Sequence, residues 1–321
     1  MTFKEILALV ESGIILALMI ALMIKPSEYT KAFSNGLALF AMNVLPTMFP
    51  YLFFTKILTL TGFSEKLGKI LKTPLKAFGL PPCCGFVWAM SIISGCPVGA
   101  KLSADLYKEG AIDQNAVKTL SALTSISGPV FVLGTVGSAI FNNAKIGVIV
   151  YVSNMIACFI NGLIWKRKGE IKDEKIITYA KSSNLGDSAY DTVITVLIVG
   201  GYIALFNMLA DMLTDFGLLE YLAFLLDKIP AIGKYKLGIG ISYGLIEITR
   251  GAVFIANSPI SDITISVLSS IIALGGLSVA IQSITFLKQC KVGALSYLVR
   301  KFTQAGLSFF FAFGICCLNI T

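Results

Sequence analysis

Apolar residues fill this chain in long blocks, with polar residues confined to short gaps between them. The first block, residues 7–24, is long enough to cross a bilayer, which takes about 20 helical residues. Lys25, Pro26 and Ser27 follow it without a small-x-small cleavage pattern, so it reads as an uncleaved transmembrane helix. Residues 33–62 form a second block containing Asn43, Pro46 and Pro50, and the prolines predict one kinked span. Residues 64–78 place Leu67, Ile70 and Leu71 at helical spacing among Lys66, Lys69, Lys72 and Lys76, the pattern of a helix lying on the membrane surface. Residues 84–93 are apolar but too short to cross. A more polar helix with Lys101, Asp105 and Lys108 comes next, so the pair predicts a re-entrant hairpin that enters and leaves by one face. Residues 116–141 predict a span interrupted near its middle. Residues 144–165 predict an uninterrupted span ending at Trp165 and Lys166-Arg167-Lys168.

The interruptions organise the rest. Ser94-Gly95-Cys96-Pro97 and Ser127-Gly128-Pro129 lie inside apolar sequence. Proline removes a backbone donor and clashes with the preceding turn. In hydrocarbon the freed backbone groups must be covered by protein or line a polar cavity. Many secondary transporters build their substrate sites from such broken helices near the bilayer midplane.

The second half repeats the first, weakly but in constant order, at an offset of roughly 150 residues. Leu52-Phe53-Phe54 parallels Ala204-Leu205-Phe206, and residues 62–71 parallel 217–226. The half-helix ending at Gly95 parallels one ending near Gly251, and Ser127-Gly128 parallels Gly275-Gly276. The lysine-rich surface segment of the first half has as its counterpart in the second a region carrying Asp211, Asp215, Glu220 and Asp227, with Lys228 at its end, so the simplest arrangement is an inverted repeat with the basic end cytoplasmic. The expected architecture is all-α and polytopic, with about seven crossings and two re-entrant hairpins. An N-terminal transmembrane helix (1–30) precedes a first repeat (31–168), a charged cytoplasmic linker (169–186) and a second repeat (187–321).

Composition supports this class. Of 321 residues, 56% are hydrophobic and 14% charged, against roughly 25% charged in soluble domains; the mean hydropathy is +0.82. The net charge of +8 arises from Lys and Arg in short loops beside apolar spans, which points to membrane topology and away from nucleic acid. There is no histidine, so imidazole catalysis or proton relay is excluded. The seven cysteines form no CxxC pair and read as buried structural thiols, with no metal or cofactor implied. No nucleotide-binding motif and no nucleophile–base pair occurs, which argues against ATP- or GTP-driven transport and against an enzyme.

The candidate substrate residues cluster at the breaks: Ser94, Gly95, Pro97, Gly99, Lys101, Ser125, Ser127, Gly128, Glu247, Thr249, Arg250, Gly275, Gly276 and Gln282. Ionisable groups inside apolar segments mark a pathway or a pair. Lys101 and Arg250 would offer positive charge to a small anionic substrate, with Glu247 setting the balance. Against this stand a self-neutralising Glu247–Arg250 pair and a Lys101 that only reaches for the interface.

Four stretches carry a resemblance: Phe86-Val87-Trp88-Ala89-Met90, Ser94 through Lys101, Thr124 through Pro129, and Glu247 through Gly251. They resemble the nucleoside-recognition, or Gate-domain, membrane proteins, and among them the sporulation integral membrane proteins of the YlbJ type. The resemblance spans roughly residues 35–289. It implies two inverted Gate-type repeats in a multi-pass membrane protein of an endospore-forming bacterium, in the cell membrane or a forespore membrane. It also implies movement of dipicolinate. Arg250 departs from the polar, uncharged residue expected there, which leaves the substrate open. The partners implied are the lipid bilayer, a small anion, and further copies of the chain or other sporulation membrane proteins. A non-transporting sporulation scaffold and a nucleoside or ion permease are the competing readings.

Overall fold

The computed structural model describes residues 3–168 and 185–318. The expected linker, 169–186, thus falls almost wholly outside the described residues.

Helix α1 (Phe3–Ile24) meets α2 (Pro26–Leu39) at a bend of 105°. Pro26 sits in the first turn of α2, where its missing N–H costs nothing, and it stops α1 from continuing. A π-helical turn, Phe40–Val44, joins α2 to α3 (Leu45–Leu60), which carries Pro50 inside it. The span expected over 33–62 falls on this continuous segment, in which the π-turn and Pro50 disturb the hydrogen-bond ladder. Its basic sequel divides at Leu71 into α4 (Phe63–Ile70) and α5 (Lys72–Ala77). Leu67 and Leu71 pack on the core, whereas Ile70 is 73% exposed, as a helix resting on lipid allows.

Helices α6 (Cys84–Ser94) and α7 (Val98–Lys108) form the first hairpin, with its tip at Gly95-Cys96-Pro97. Helix α8 (Gln114–Leu123) starts at Asp113, whose carboxylate accepts the Ala116 amide, and unwinds over 124–129 before a π-helical stretch, Val130–Ile140. Helix α9 (Ala144–Ile164) completes the half. The second half recurs in the same order. Helix α10 (Leu185–Asp215) leads to α11 (Leu218–Asp227) and α12 (Pro230–Gly233). A second hairpin, α13 (Gly238–Ile246) and α14 (Ile248–Ala256), follows. Helix α15 (Asp262–Leu274) breaks at Gly275 into α16 (Gly276–Leu287), and α17 (Ala294–Cys317) closes the chain. Gly62 and Gly217, each left-handed, open α4 and α11 at matching places.

The second tip is not where the sequence pattern placed it. The break falls at Glu247, and Gly251 lies inside α14 against Gly244 of α13. Glu247 ends one helix and caps the next, because its carboxylate accepts the Arg250 amide at 2.9 Å.

The two hairpins enter from opposite ends. The first tip meets the start of the 130–140 stretch: the Cys96 amide donates to the Ile126 carbonyl at 2.7 Å. Its base lies at the far end of α16, where Gln114 donates to the Lys291 carbonyl. The second tip meets the start of α16, since a Cβ on Gly276 would lie 2.7 Å from the Gly244 carbonyl. Its base shares a cluster with Ile140 and Phe141, at the end of the π-helical stretch. Each half therefore inserts its hairpin against the other's opposite end, which is the inverted repeat expected.

Among the described residues, three segments are by themselves long and apolar enough to cross a membrane: Ala144–Ile164, Leu185–Asp215 and Asp262–Cys290, with the bent α1–α2 pair a fourth. The remaining crossings expected from the sequence are not of this kind. Residues 116–141 are divided by the break, and α17 carries Arg300, Lys301 and Gln304.

Candidate functional site

Both tips and both breaks converge on one cavity of about 170 Å³. Ser94 and Pro97 come from the first tip, Ser127 and Gly128 from the first break, Glu247 and Thr249 from the second tip, and Ser278 and Gln282 from α16. Met48 and Tyr51 of α3 and Val199 and Ile203 of α10 complete an otherwise largely apolar wall. The architecture is that of midplane sites formed by discontinuous helices.

The backbone requires this convergence. Gly95 has φ +79°, and a Cβ there would stand 2.7 Å from the Gly128 Cα, so tip and break pass without side chains between them. Ser127 donates its hydroxyl to the Ile272 carbonyl at 3.1 Å, stitching the first break to the second. The Gln282 amide donates to the Ser278 hydroxyl at 3.2 Å. The Ser94 hydroxyl is buried in the wall without a partner among the described residues, a donor and acceptor left over for a ligand.

The other expected residues lie behind the wall. Gly99 packs under Thr124, and Gly275 and Gly276 shape the second break. Ser125 is turned away from the cavity toward Tyr297, hydroxyl to hydroxyl at 3.1 Å. Neither basic residue lines the cavity. The Lys101 ammonium donates to Asp105 at 2.7 Å and to Asp191 of α10 at 3.2 Å, and Lys56 of α3 joins the same two carboxylates. Arg250 reaches Asp211 of α10 at 2.5 Å and lies over the Tyr243 ring at 5.0 Å. The self-neutralising Glu247–Arg250 pair does not form; Glu247 uses its carboxylate on the Arg250 backbone instead. The cavity wall therefore holds one carboxylate, Glu247, and neither lysine nor arginine.

Charge placement follows the repeat. Lys101 and Arg250 stand one turn past their respective tips, and each is held by an aspartate at a different end of α10. The sequence reading missed those aspartates as partners, because they lie far along the chain. It also missed Lys301, which is 2% exposed inside α17. The signal for it was present: Arg300, Lys301 and Gln304 interrupt a long apolar helix. Of the cysteines, Cys84, Cys158, Cys290 and Cys316 are buried, Cys83 and Cys96 half-buried and Cys317 exposed. Cys96 lines the cavity.

No family model matches the chain. It is 25% identical over 336 aligned positions to the sporulation integral membrane protein YlbJ of Bacillus subtilis (strain 168), which covers 95% of this chain and 81% of that protein. Among solved structures, a CNTnw variant in an outward-facing state shares the fold with a TM-score of 0.50 at 16% identity, across 99% of this chain and 87% of its own. The resemblance carried by the motifs is thus borne out along nearly the whole sequence. The chain is a multi-pass helical membrane protein with a transporter-like fold, similar to the sporulation integral membrane protein YlbJ.

Proposed function

We propose that the chain is a secondary transporter or facilitator that passes a small polar organic solute between its two hairpin tips. One observation carries this reading: tips and breaks from both halves enclose a single cavity holding Ser94, Ser127, Glu247, Thr249, Ser278 and Gln282. A scaffold that only contacts partners has no use for a cavity into which polar groups from both halves converge. Nothing in the cavity supplies a nucleophile–base pair, so passage rather than chemistry is the reading it favours.

Dipicolinate, the single-ring dicarboxylate that the sporulation resemblance implies, is the first substrate to test. The starts of α7, α14 and α16 all abut the cavity, and helix amide ends favour an anion. Glu247 opposes it, and Lys101 and Arg250 are occupied elsewhere. The same carboxylate favours a second reading, a neutral hydroxyl-bearing solute such as a nucleoside, which Glu247 and Gln282 would hold by hydrogen bonds.

Uptake into proteoliposomes of labelled dipicolinate and labelled uridine, by the wild type and by Glu247→Gln, separates the two. Glutamine still accepts the Arg250 amide, so the cap persists. For an anion, removing the negative charge raises uptake severalfold. For a hydroxyl-bearing solute, it lowers uptake by about tenfold, the worth of a charged hydrogen bond. Uptake of neither solute above empty liposomes sinks both assignments.

A further inference from the structure

The break after α8 frees several carbonyls inside the membrane, and each has an identifiable donor. The carbonyls of Ala122 and Leu123 receive the Cys158 thiol at 3.3 and 3.1 Å, and Ala122 also receives the Asn161 amide at 3.4 Å. The Ile126 carbonyl receives the Cys96 amide from the hairpin tip. The Ser125 carbonyl receives two donors from α17: the Gln304 amide at 3.0 Å and the Lys301 ammonium at 3.1 Å.

Lys301 is unusual among these. It is 2% exposed, and its other hydrogen-bond acceptor is the side-chain amide oxygen of Gln304 at 3.5 Å. Among the described residues no carboxylate stands within ion-pair distance of it. A lone buried ammonium is costly unless something compensates it. The compensation available is the carbonyl end of α8, where the helix dipole is negative. The break in the second half shows that charge is not needed merely to satisfy carbonyls. There the Ile272 carbonyl, three residues before Gly275, is served by the neutral Ser127 hydroxyl at 3.1 Å.

Unwound carbonyls at a half-helix end are where transporters hold a coupling cation. We infer that the Lys301 ammonium is a tethered cation occupying that position, and that it docks the unwound 124–129 segment and, through it, the first hairpin tip. The inference deepens the transport reading, since Cys96, Pro97 and Ser127 of that docked assembly form the cavity wall. Lys301 touches no part of the cavity itself, so it is a positioning residue. A chain that carries its own cation at this break has no need of one from solution to hold it closed.

The test uses hydrogen–deuterium exchange of the purified full chain, followed on peptides covering 92–99 and 124–130. Lys301→Ala loses protection there by about tenfold or more, the worth of a charged hydrogen bond. Methylammonium restores it by filling the vacated space with a free ammonium, whereas tetramethylammonium, which has no N–H, does not. Lys301→Arg stays protected. The wild-type melting temperature is the same in sodium chloride and in N-methylglucamine chloride, a measurement that needs no variant. Undiminished protection in Lys301→Ala, a loss that neither methylammonium nor arginine restores, or sodium-dependent stability of the wild type would each overturn the inference. No substrate enters these measurements, so they stand apart from the uptake result.

Discussion

At Gly95 one hydrogen atom separates a working tip from a blocked one. Its φ of +79° and ψ of −171° lie in a region reached essentially by glycine alone, where a side chain costs about 1–3 kcal/mol, and the Gly128 Cα stands 2.7 Å from where a Cβ would go. Strain and clash add, because neither the tip nor the break can retreat without uncovering backbone groups in hydrocarbon. Gly95→Ala is therefore expected to destabilise the protein by about 2–4 kcal/mol, seen as a lower unfolding temperature in detergent. Gly134→Ala, with nothing within 4 Å of its added methyl, is the control and should leave that temperature unchanged. At this scale the sequence was legible where the backbone itself was the signal. Gly95, Pro97, Gly128 and Glu247 were all marked by their place in apolar runs. It was opaque where a side chain chooses between partners. Glu247 and Arg250 are near neighbours in sequence and look paired, yet Asp211 lies close enough in space to take the guanidinium.

Between elements, the two basic residues act as ties. Lys101 fastens the first hairpin to the start of α10 through Asp191, with Asp105 and Lys56 completing the group. Arg250 fastens the second hairpin to the end of α10 through Asp211. Both aspartates are about 40% exposed, so each tie contributes on the order of 1 kcal/mol to stability. That is small against folding but comparable with the free energies that set populations of open and closed states. Weakening one tie should therefore shift the side from which the cavity opens while leaving the fold intact. The readout is alkylation of Cys96, which lines the cavity, by a membrane-impermeant thiol reagent applied to one face of oriented vesicles and quantified by peptide mass spectrometry. Asp211→Asn is expected to raise labelling severalfold from the α11 face, and Asp191→Asn from the α4 face. Equal labelling from both faces in both variants would show that the ties do not gate. The hairpins could be read from the chain because proline and glycine announce their tips. The ties could not, because ion pairs between distant helices leave no local periodicity.

The molecule as a whole is an inverted pair, and inversion gives its two ends different charge. One end gathers Lys66, Lys69, Lys72 and Lys76 of α4 and α5 with Lys166, Arg167 and Lys168 after α9. The Thr119 hydroxyl bonds to the Trp165 carbonyl and Arg167 pairs with Asp113 at 2.9 Å, which fixes that cluster beside the base of the first hairpin. The other end carries Asp215, Glu220 and Asp227 together with the smaller set Lys228, Lys234 and Lys236, and Asp215 is pinned to Lys25 at 2.9 Å. Topology follows the positive residues in short loops and is nearly indifferent to carboxylates. The lysine-rich end is thus expected in the cytoplasm, and the α11 end across the membrane from it. This orientation decides which tie faces which compartment: Lys101 with Asp191 on the cytoplasmic side, Arg250 with Asp211 on the far side. Single cysteines placed at Lys69 and at Glu220, in a chain whose Cys83, Cys96 and Cys317 are replaced by serine, test it in intact cells. An impermeant maleimide should label the Glu220 position readily and the Lys69 position only after the membrane is opened. Labelling in the reverse order would invert the assignment of both ties, and the direction in which the cavity delivers its solute would invert with it.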